Sequence, residues 1–163
     1  MPIRTTTTYG KALYAFAKNV LVVCPQCEGK ALVRPNDPDL PVFEITAVRV
    51  VCPACGYNKI LEGLSHRQDP KQKRGKILIF GAPIDPYFHL PLWLQAEVSG
   101  ELLWAYNLEH LDFLAAHVGA KLRERTQANA PRSIGARLPR WMSSAANREA
   151  VLKAIEKLKD KEN

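Results

Sequence analysis

The residues best suited to chemistry are four cysteines, and the chain holds no others. They fall in two knuckles, Cys24-Pro25-Gln26-Cys27 and Cys52-Pro53-Ala54-Cys55, the second followed at once by Gly56. Cys-x-x-Cys lets one tight turn present two sulfurs to one ion, and two such turns complete the tetrahedron of thiolates that Zn²⁺ favours. Such a shell leaves no open coordination position. It therefore holds structure, whereas a catalytic zinc keeps a water. The proline after the first cysteine of each knuckle fixes φ there. Gly56 suits the positive φ that such a turn needs next. In the first knuckle Glu28 separates Cys27 from Gly29, so the glycine comes one place late and that turn is expected to be looser. A dithiol redox pair would use one knuckle and leave the other unexplained, and no βαβ pattern surrounds either.

The elements that must position these sulfurs can be read from the flanks. Val20-Leu21-Val22-Val23 predicts a strand into the first knuckle, and Lys30 to Arg34 predicts the return. Pro35 to Pro41 is dense in turn formers. Val42 to Val51 is β-branched and predicts a strand into the second knuckle, and Tyr57 to Leu61 leaves it. Gly10 to Val20 reads as a weak helix or an entry strand.

This hairpin–loop–hairpin layout with its double Cys-Pro-x-Cys pattern resembles the zinc-ribbon family over Val20 to Leu64. It is also similar to the paired knuckles of rubredoxins, which would put iron at the site. The resemblance implies Cys24, Cys27, Cys52 and Cys55 as ligands of a structural Zn²⁺. The later runs Leu92-Trp93-Leu94-Gln95, Leu103-Trp104-Ala105-Tyr106-Asn107 and Leu138-Pro139-Arg140-Trp141-Met142 resemble the C-terminal part of uncharacterised bacterial zinc-ribbon proteins, a likeness that implies no activity.

At 163 residues the chain suits one domain or a small metal module plus a compact partner. No apolar run reaches the length of a membrane-spanning helix, and Met1-Pro2-Ile3-Arg4 with its four threonines lacks the apolar stretch of a signal peptide. Paired reduced cysteines without an export signal predict a cytoplasmic protein with no membrane partner.

The formal net charge of +7 is unevenly spread. Arg67, Lys71, Lys73, Arg74 and Lys76 crowd a stretch whose one acid is Asp69. From Ile77 to Ala120 there is no Lys or Arg; the acids there are Asp85, Glu97, Glu101, Glu109 and Asp112. Basic residues return from Lys121 onward, among them Arg132, Arg137, Arg140 and Arg148. A basic stripe is the electrostatic footprint of a nucleic-acid binder, and Arg140 beside Trp141 could pair a phosphate contact with stacking. Solvated surface and a Trp141 docked into the core are the competing reading.

Beyond the basic stretch, Lys76 to Phe80 predicts a short strand, and Leu90 to Val98 another that Pro91 confines to an edge or delays. Trp104, Leu108, Leu111, Leu114, Val118 and Leu122 recur at helical spacing and predict one long helix over 101–125. Asn147 is the expected N-cap of a last helix over 147–160, with Val151, Leu152, Ile155 and Leu158 on one side.

His110 and His117 lie seven residues apart on that long helix, about 10 Å along its axis, too far for one ion, and read as part of a packing stripe with Phe113. His66 and His89 have no ligand spacing around them. The chain contains no Gly-x-Ser-x-Gly, phosphate-cradling Gly-rich loop or His-Glu-x-x-His, so a non-enzyme is expected.

The sequence thus predicts an α+β fold: a zinc-ribbon module over 1–64, a basic linker over 65–76 and a strand-and-helix part over 77–163. The expected role is a zinc-dependent binding module contacting nucleic acid through Arg67, Lys71, Lys73, Arg74, Lys76, Arg132, Arg137 and Arg140. The alternative is a protein-binding adaptor or inhibitor, such as an immunity protein that turns the acidic stretch toward a basic toxin.

Overall fold

A computed structural model describes residues 13–64, 78–119 and 140–162. The fold is α+β. The described chain divides into two compact units, Tyr14–Trp93 and the stretch from Leu94 onward, to which Leu13 also belongs. The expected linker over 65–76 lies outside the described residues.

In the first unit four antiparallel strands form one sheet in sequence order: β1 (Val20–Val23), β2 (Lys30–Pro35), β3 (Val48–Val51) and β4 (Asn58–Leu61). In such a meander the first and third turns fall at the same end of the sheet. Those are the turns that carry the two knuckles, so topology alone brings the cysteine pairs together. Register fixes the faces. Val20, Val22, Ala31, Val33, Val48, Val50 and Leu61 are buried on one side. Arg34, Arg49 and Ile60 point out on the other. Alternation with period two is what a half-buried sheet requires.

Two expectations need correction here, and a third is met in part. The strand expected over Val42 to Val51 is a ladder only at Val48–Val51; Val42–Glu44 is a 3₁₀ turn with Val42 and Ile45 buried. The ladder ends at the pair Pro35↔Val48; beyond it only single bonds continue, Asn36 N–H to the Ala47 carbonyl at 2.9 Å and Leu64 N–H to the Thr46 carbonyl at 3.0 Å. Of the strand expected over Lys76 to Phe80, Leu78–Phe80 joins no sheet, and residues 76–77 lie outside the described set. Gly10 to Val20 contributes a 3₁₀ turn at Leu13–Phe16, with residues 10–12 outside the described set.

The unit closes with a loop organised by one acid. Asp85 is fully buried, and its carboxylate accepts from the backbone N–H of Tyr87 at 2.9 Å, Phe88 at 2.7 Å and Leu90 at 2.6 Å. The Tyr87 hydroxyl donates to the Ala17 carbonyl at 2.8 Å, and Trp93 N–H donates to the Leu21 carbonyl at 3.0 Å. The loop is thereby tied to the start of the unit and to β1.

The second unit opens with a hairpin, β5 (Leu94–Val98) and β6 (Glu101–Ala105), in register from Leu94↔Ala105 to Val98↔Glu101. Pro91 does delay the strand, which starts at Leu94. The helix expected from Glu101 is corrected: it begins at Leu108, and Glu101–Ala105 is a strand. Ser99 and Gly100 both take positive φ, +51° and +82°, as a two-residue turn between right-twisted strands demands.

Helix α1 (Leu108–Gly119) follows and buries Leu111, Leu114 and Val118 together with His110, Phe113 and His117. Residues 120–139 lie outside the described set, so its expected continuation to Arg125 does too. A single turn, α2 (Arg140–Ser143), leads to α3 (Arg148–Glu162). Helix α3 packs on α1 and β5 through Val151, Ile155 and Leu158, each contributing about 2 kcal/mol by burial. Asn147 stands at the expected cap position, its carbonyl accepting from Val151 N–H at 2.9 Å, while its side-chain amide donates to the Trp141 carbonyl at 3.0 Å. Lys159 meets Asp112 across the two helices at 2.7 Å.

Candidate metal centre

The sulfurs of Cys24, Cys27, Cys52 and Cys55 all lie within 4.8 Å of one another. Cys24 Sγ is 3.6 Å from Cys55 Sγ, and Cys27 Sγ is 3.5 Å from Cys52 Sγ. A Zn–S bond of about 2.3 Å implies a tetrahedron with edges of about 3.8 Å, which these spacings approach. A disulfide, at about 2.05 Å, is far shorter, and all four thiols are free. The sulfur pairs cross from one knuckle to the other, so an ion here would stitch β1–β2 to β3–β4. Cys24 and Cys52, the first cysteine of each knuckle, are buried; Cys27 is exposed and Cys55 half-buried.

The two turns are built alike. Cys24 N–H donates to the Gly29 carbonyl at 2.8 Å, and Cys52 N–H to the Tyr57 carbonyl at 2.8 Å. Glu28 N–H reaches the Cys24 carbonyl at 2.9 Å, and Gly56 N–H the Cys52 carbonyl at 2.8 Å. The first knuckle is therefore not the looser one expected. Glu28 itself takes the left-handed conformation, φ +63°, matching Gly56 at +80°. The late glycine has a different duty. A Cβ on Gly29 would lie 3.2 Å from Cys27 Sγ, so the side chain is missing to leave the sulfur room.

Backbone donors converge on the sulfurs. The N–H groups of Gln26 and Cys27 point at Cys24 Sγ at 3.4 and 3.5 Å, and Gly29 N–H at Cys27 Sγ at 3.4 Å. Hydrogen bonds to sulfur favour thiolate over thiol. Burial alone would push the Cys24 thiol up, but the N–H groups of Cys27 and Gln26 and the neighbouring thiols of Cys55 and Cys52 outweigh it and bring it down to about 7. Cys55 goes the other way. The Tyr57 N–H favours its thiolate, yet burial and the sulfurs of Cys27, Cys24 and Cys52 push it up to about 12. For Cys27 the Gly29 N–H is likewise overcome, chiefly by Cys52, and its thiol is raised. The Cys24 thiolate is favoured while Cys27 and Cys55 are held as thiols by their neighbours, a charge balance that a cation among the four sulfurs would relieve. The donor set fits a soft divalent ion. Cys24, Cys27, Cys52 and Cys55 would hold it, and it would supply a cross-link and neutralising charge.

The other expected site residues fare differently. Arg67, Lys71, Lys73, Arg74, Lys76, Arg132 and Arg137 lie outside the described residues, as does His66. Arg140 is exposed at the start of α2, next to a half-buried Trp141. His110 and His117 are both 2% exposed. His110 Nδ1 accepts from Tyr106 N–H at 3.1 Å, while Asn107 Oδ1 caps the helix by accepting from His110 N–H at 3.0 Å. Burial holds the His110 imidazole down at about 3, so it is neutral and packs against Trp104 and Tyr106. His117 stacks on Phe113 with rings 6.4 Å apart. The acid read as surface, Asp85, is internal; burial pushes its carboxyl up against the pull of its three N–H donors. Among the described residues no other group of His, Cys, Asp and Glu is gathered closely enough for an ion. No described helix is long and apolar enough to cross a membrane.

Comparison of the chain with models of known protein families, with curated proteins and with solved structures finds no match.

Proposed function

We propose that the chain is a non-catalytic, zinc-ribbon-like module in which a structural Zn²⁺ fixes two hairpins and the resulting surface contacts nucleic acid. The observation that carries the zinc reading is the set of four sulfurs within 4.8 Å, donated in equal pairs by two turns of one shape. Four thiolates fill a tetrahedral shell and leave no place for a reacting water, which favours structure over catalysis. The nucleic-acid reading is supported by the net charge of +7.

The adaptor reading leans on the acidic stretch, and that surface is smaller than the sequence suggests. Asp85 is spent inside its loop and Asp112 is engaged by Lys159. A single-sign acidic face for a basic toxin is therefore thin, which leaves the polyanion as the favoured partner.

Two measurements test the proposal. Elemental analysis of purified protein should give one equivalent of zinc; iron would move the site to redox chemistry, and no metal would remove it. Retention of a random-sequence oligonucleotide should weaken steeply with added salt. Absence of retention at low salt would reject the nucleic-acid reading and leave the metal module standing.

A further inference from the structure

The outward face of the first sheet carries two arginines that the sequence reading did not single out. Arg34 on β2 and Arg49 on β3 are directly paired in the ladder, and Ile60 on β4 is the next partner in the same row. Directly opposed residues in an antiparallel pair have Cβ atoms about 4.5–5.5 Å apart, and like charges there are destabilising. Both arginines are exposed, and neither side chain makes an ion pair or hydrogen bond with another described residue. They line an open groove of about 690 Å³ together with Asn19, Asn36, Ile60 and Glu62. Ile60, 47% exposed, is among the few large apolar side chains left in solvent.

Two arginines at directly opposed positions on one face, both lining one groove, can bring their guanidinium groups to a common anion. Each guanidinium offers a planar fork that matches phosphate oxygens in a bidentate way. An anion seated between them would turn the repulsion into attraction. The geometry points to the Arg34–Arg49 pair as a clamp for the phosphodiester backbone of a single-stranded nucleic acid, with Ile60 as an apolar rest for sugar or base. This assignment rests on the nucleic-acid reading above and names the surface that performs it. A polyanion is the favoured occupant because the chain's positive excess is large, so successive phosphates gain where a lone carboxylate would not. The described row carries no aromatic platform, so the clamp reads backbone and not base identity. Glu62 is the opposing charge in the groove; it lies one residue past Leu61, the end of the β3–β4 ladder, whereas the arginines sit within theirs.

The test compares the metal-loaded full chain with Arg34→Gln/Arg49→Gln, using a fluorescein-labelled random 20-mer as RNA and as DNA over a range of salt. Because the side chains face outward and repel, the double variant is expected to fold at least as well as the parent, which its thermal midpoint and metal content check. The expected result is affinity about tenfold weaker and a salt slope smaller by roughly 1.4, the release expected for two single-strand phosphate contacts. Glu62→Gln should bind about twofold tighter. Equal affinity and slope in the double variant, with the parent still binding, would overturn the clamp and leave the nucleic-acid reading intact. Failure of the parent to bind any oligonucleotide would sink both. Poly-glutamate held by the parent and lost from the double variant, with no oligonucleotide bound, would reassign the groove to an acidic protein.

Discussion

Glu28 and Gly56 occupy the same place in two turns of the same shape, one with a long side chain and one with none. Both have positive φ, +63° and +80°, and both donate their N–H to the carbonyl of the first cysteine of their own knuckle. An L residue pays roughly 1–2 kcal/mol for this conformation, which glycine adopts freely. Nothing lies within 4 Å of a Cβ built on Gly56, so the backbone alone decides there. Gly56→Ala is expected to destabilise the metal-loaded protein by about 1 kcal/mol. Glu28→Gly should gain about 0.5 kcal/mol, the relief of strain less the added freedom of glycine in the unfolded chain. Urea midpoints at constant metal check both; a loss of stability in Glu28→Gly would show that the Glu28 side chain holds the turn.

Gly29 offers a separate probe because its φ is not in the left-handed region. Its Cβ would meet Cys27 Sγ at 3.2 Å and the Ala54 Cβ at 3.7 Å. A sulfur fixed by an ion cannot retreat without spoiling the tetrahedron. Gly29→Ala is therefore expected to weaken metal affinity about tenfold, or about 1.4 kcal/mol, in competition with a chromophoric chelator. Unchanged affinity would mean that the sulfur has room to move.

Removal of the metal should be felt mainly by the first unit. Its four strands are short, four to six residues each; the β2–β3 ladder joins the two hairpins over only four pairs, and the cross-knuckle sulfur pairs would cross-link them again through the ion at the cysteine end. Chelation, or Cys24→Ser with Cys52→Ser, is expected to abolish amide protection in β1–β4 while β5, β6, α1 and α3 keep theirs. Structural zinc is worth about 10–16 kcal/mol in small metal-dependent folds, more than a sheet of this size can replace. Hydrogen exchange resolves the two units separately; protection of β1–β4 in the apo protein would refute the cross-link.

The sulfurs were legible because spacing alone constrains them: two Cys-x-x-Cys turns on hairpins leave few other arrangements. The run Glu101 to Ala105 was not, because Trp104, Leu108 and Leu111 satisfy a helical period by coincidence. The competing signals were Ser99-Gly100, a two-residue hairpin turn, and the alternation that buries Leu103 and Ala105. Asp85 was read as part of an acidic surface because its partners are backbone N–H groups, which leave no mark on the sequence. Arg34 and Arg49 are fifteen residues apart, and only the β2–β3 register makes them neighbours.

Asp85 also makes a prediction of its own. Its two oxygens satisfy three N–H groups of the loop from Tyr87 to Leu90. Asp85→Ala leaves one buried donor, Tyr87 N–H, and two part-buried ones, Phe88 and Leu90 N–H, without their acceptor; an unsatisfied buried donor costs about 1–3 kcal/mol and the part-buried pair less, so the loss should reach roughly 2–4 kcal/mol. Asp85→Asn keeps Oδ1 for Tyr87 and Phe88 but turns an amide N–H₂ toward Leu90 N–H, and should cost less than alanine. The Tyr87–Ala17 contact should loosen in both, seen as faster exchange at residues 86–90. If alanine costs no more than asparagine, the carboxylate is not the organiser of the loop.

His110 gives a pH dependence whose sign follows from its burial. The unfolded imidazole titrates near pH 6.5, whereas the folded one is held at about 3 because its protonated form would be desolvated between Trp104 and Tyr106. Nδ1 is already occupied as an acceptor from Tyr106 N–H, so a proton placed there would also break that bond. With the folded value depressed, the stability His110 contributes is complete above about pH 6.5 and is lost as pH falls toward 3, since the unfolded chain binds the extra proton. By about pH 5 the loss amounts to about 2 kcal/mol. His110→Gln keeps an acceptor for Tyr106 N–H and cannot titrate. It is expected to be less stable than the parent at neutral pH yet to lose about 2 kcal/mol less between about pH 7 and pH 5. The difference between the two urea curves isolates this group, because the cysteines and carboxylates titrate alike in both. Parallel stability–pH profiles would mean that the imidazole can be protonated in place.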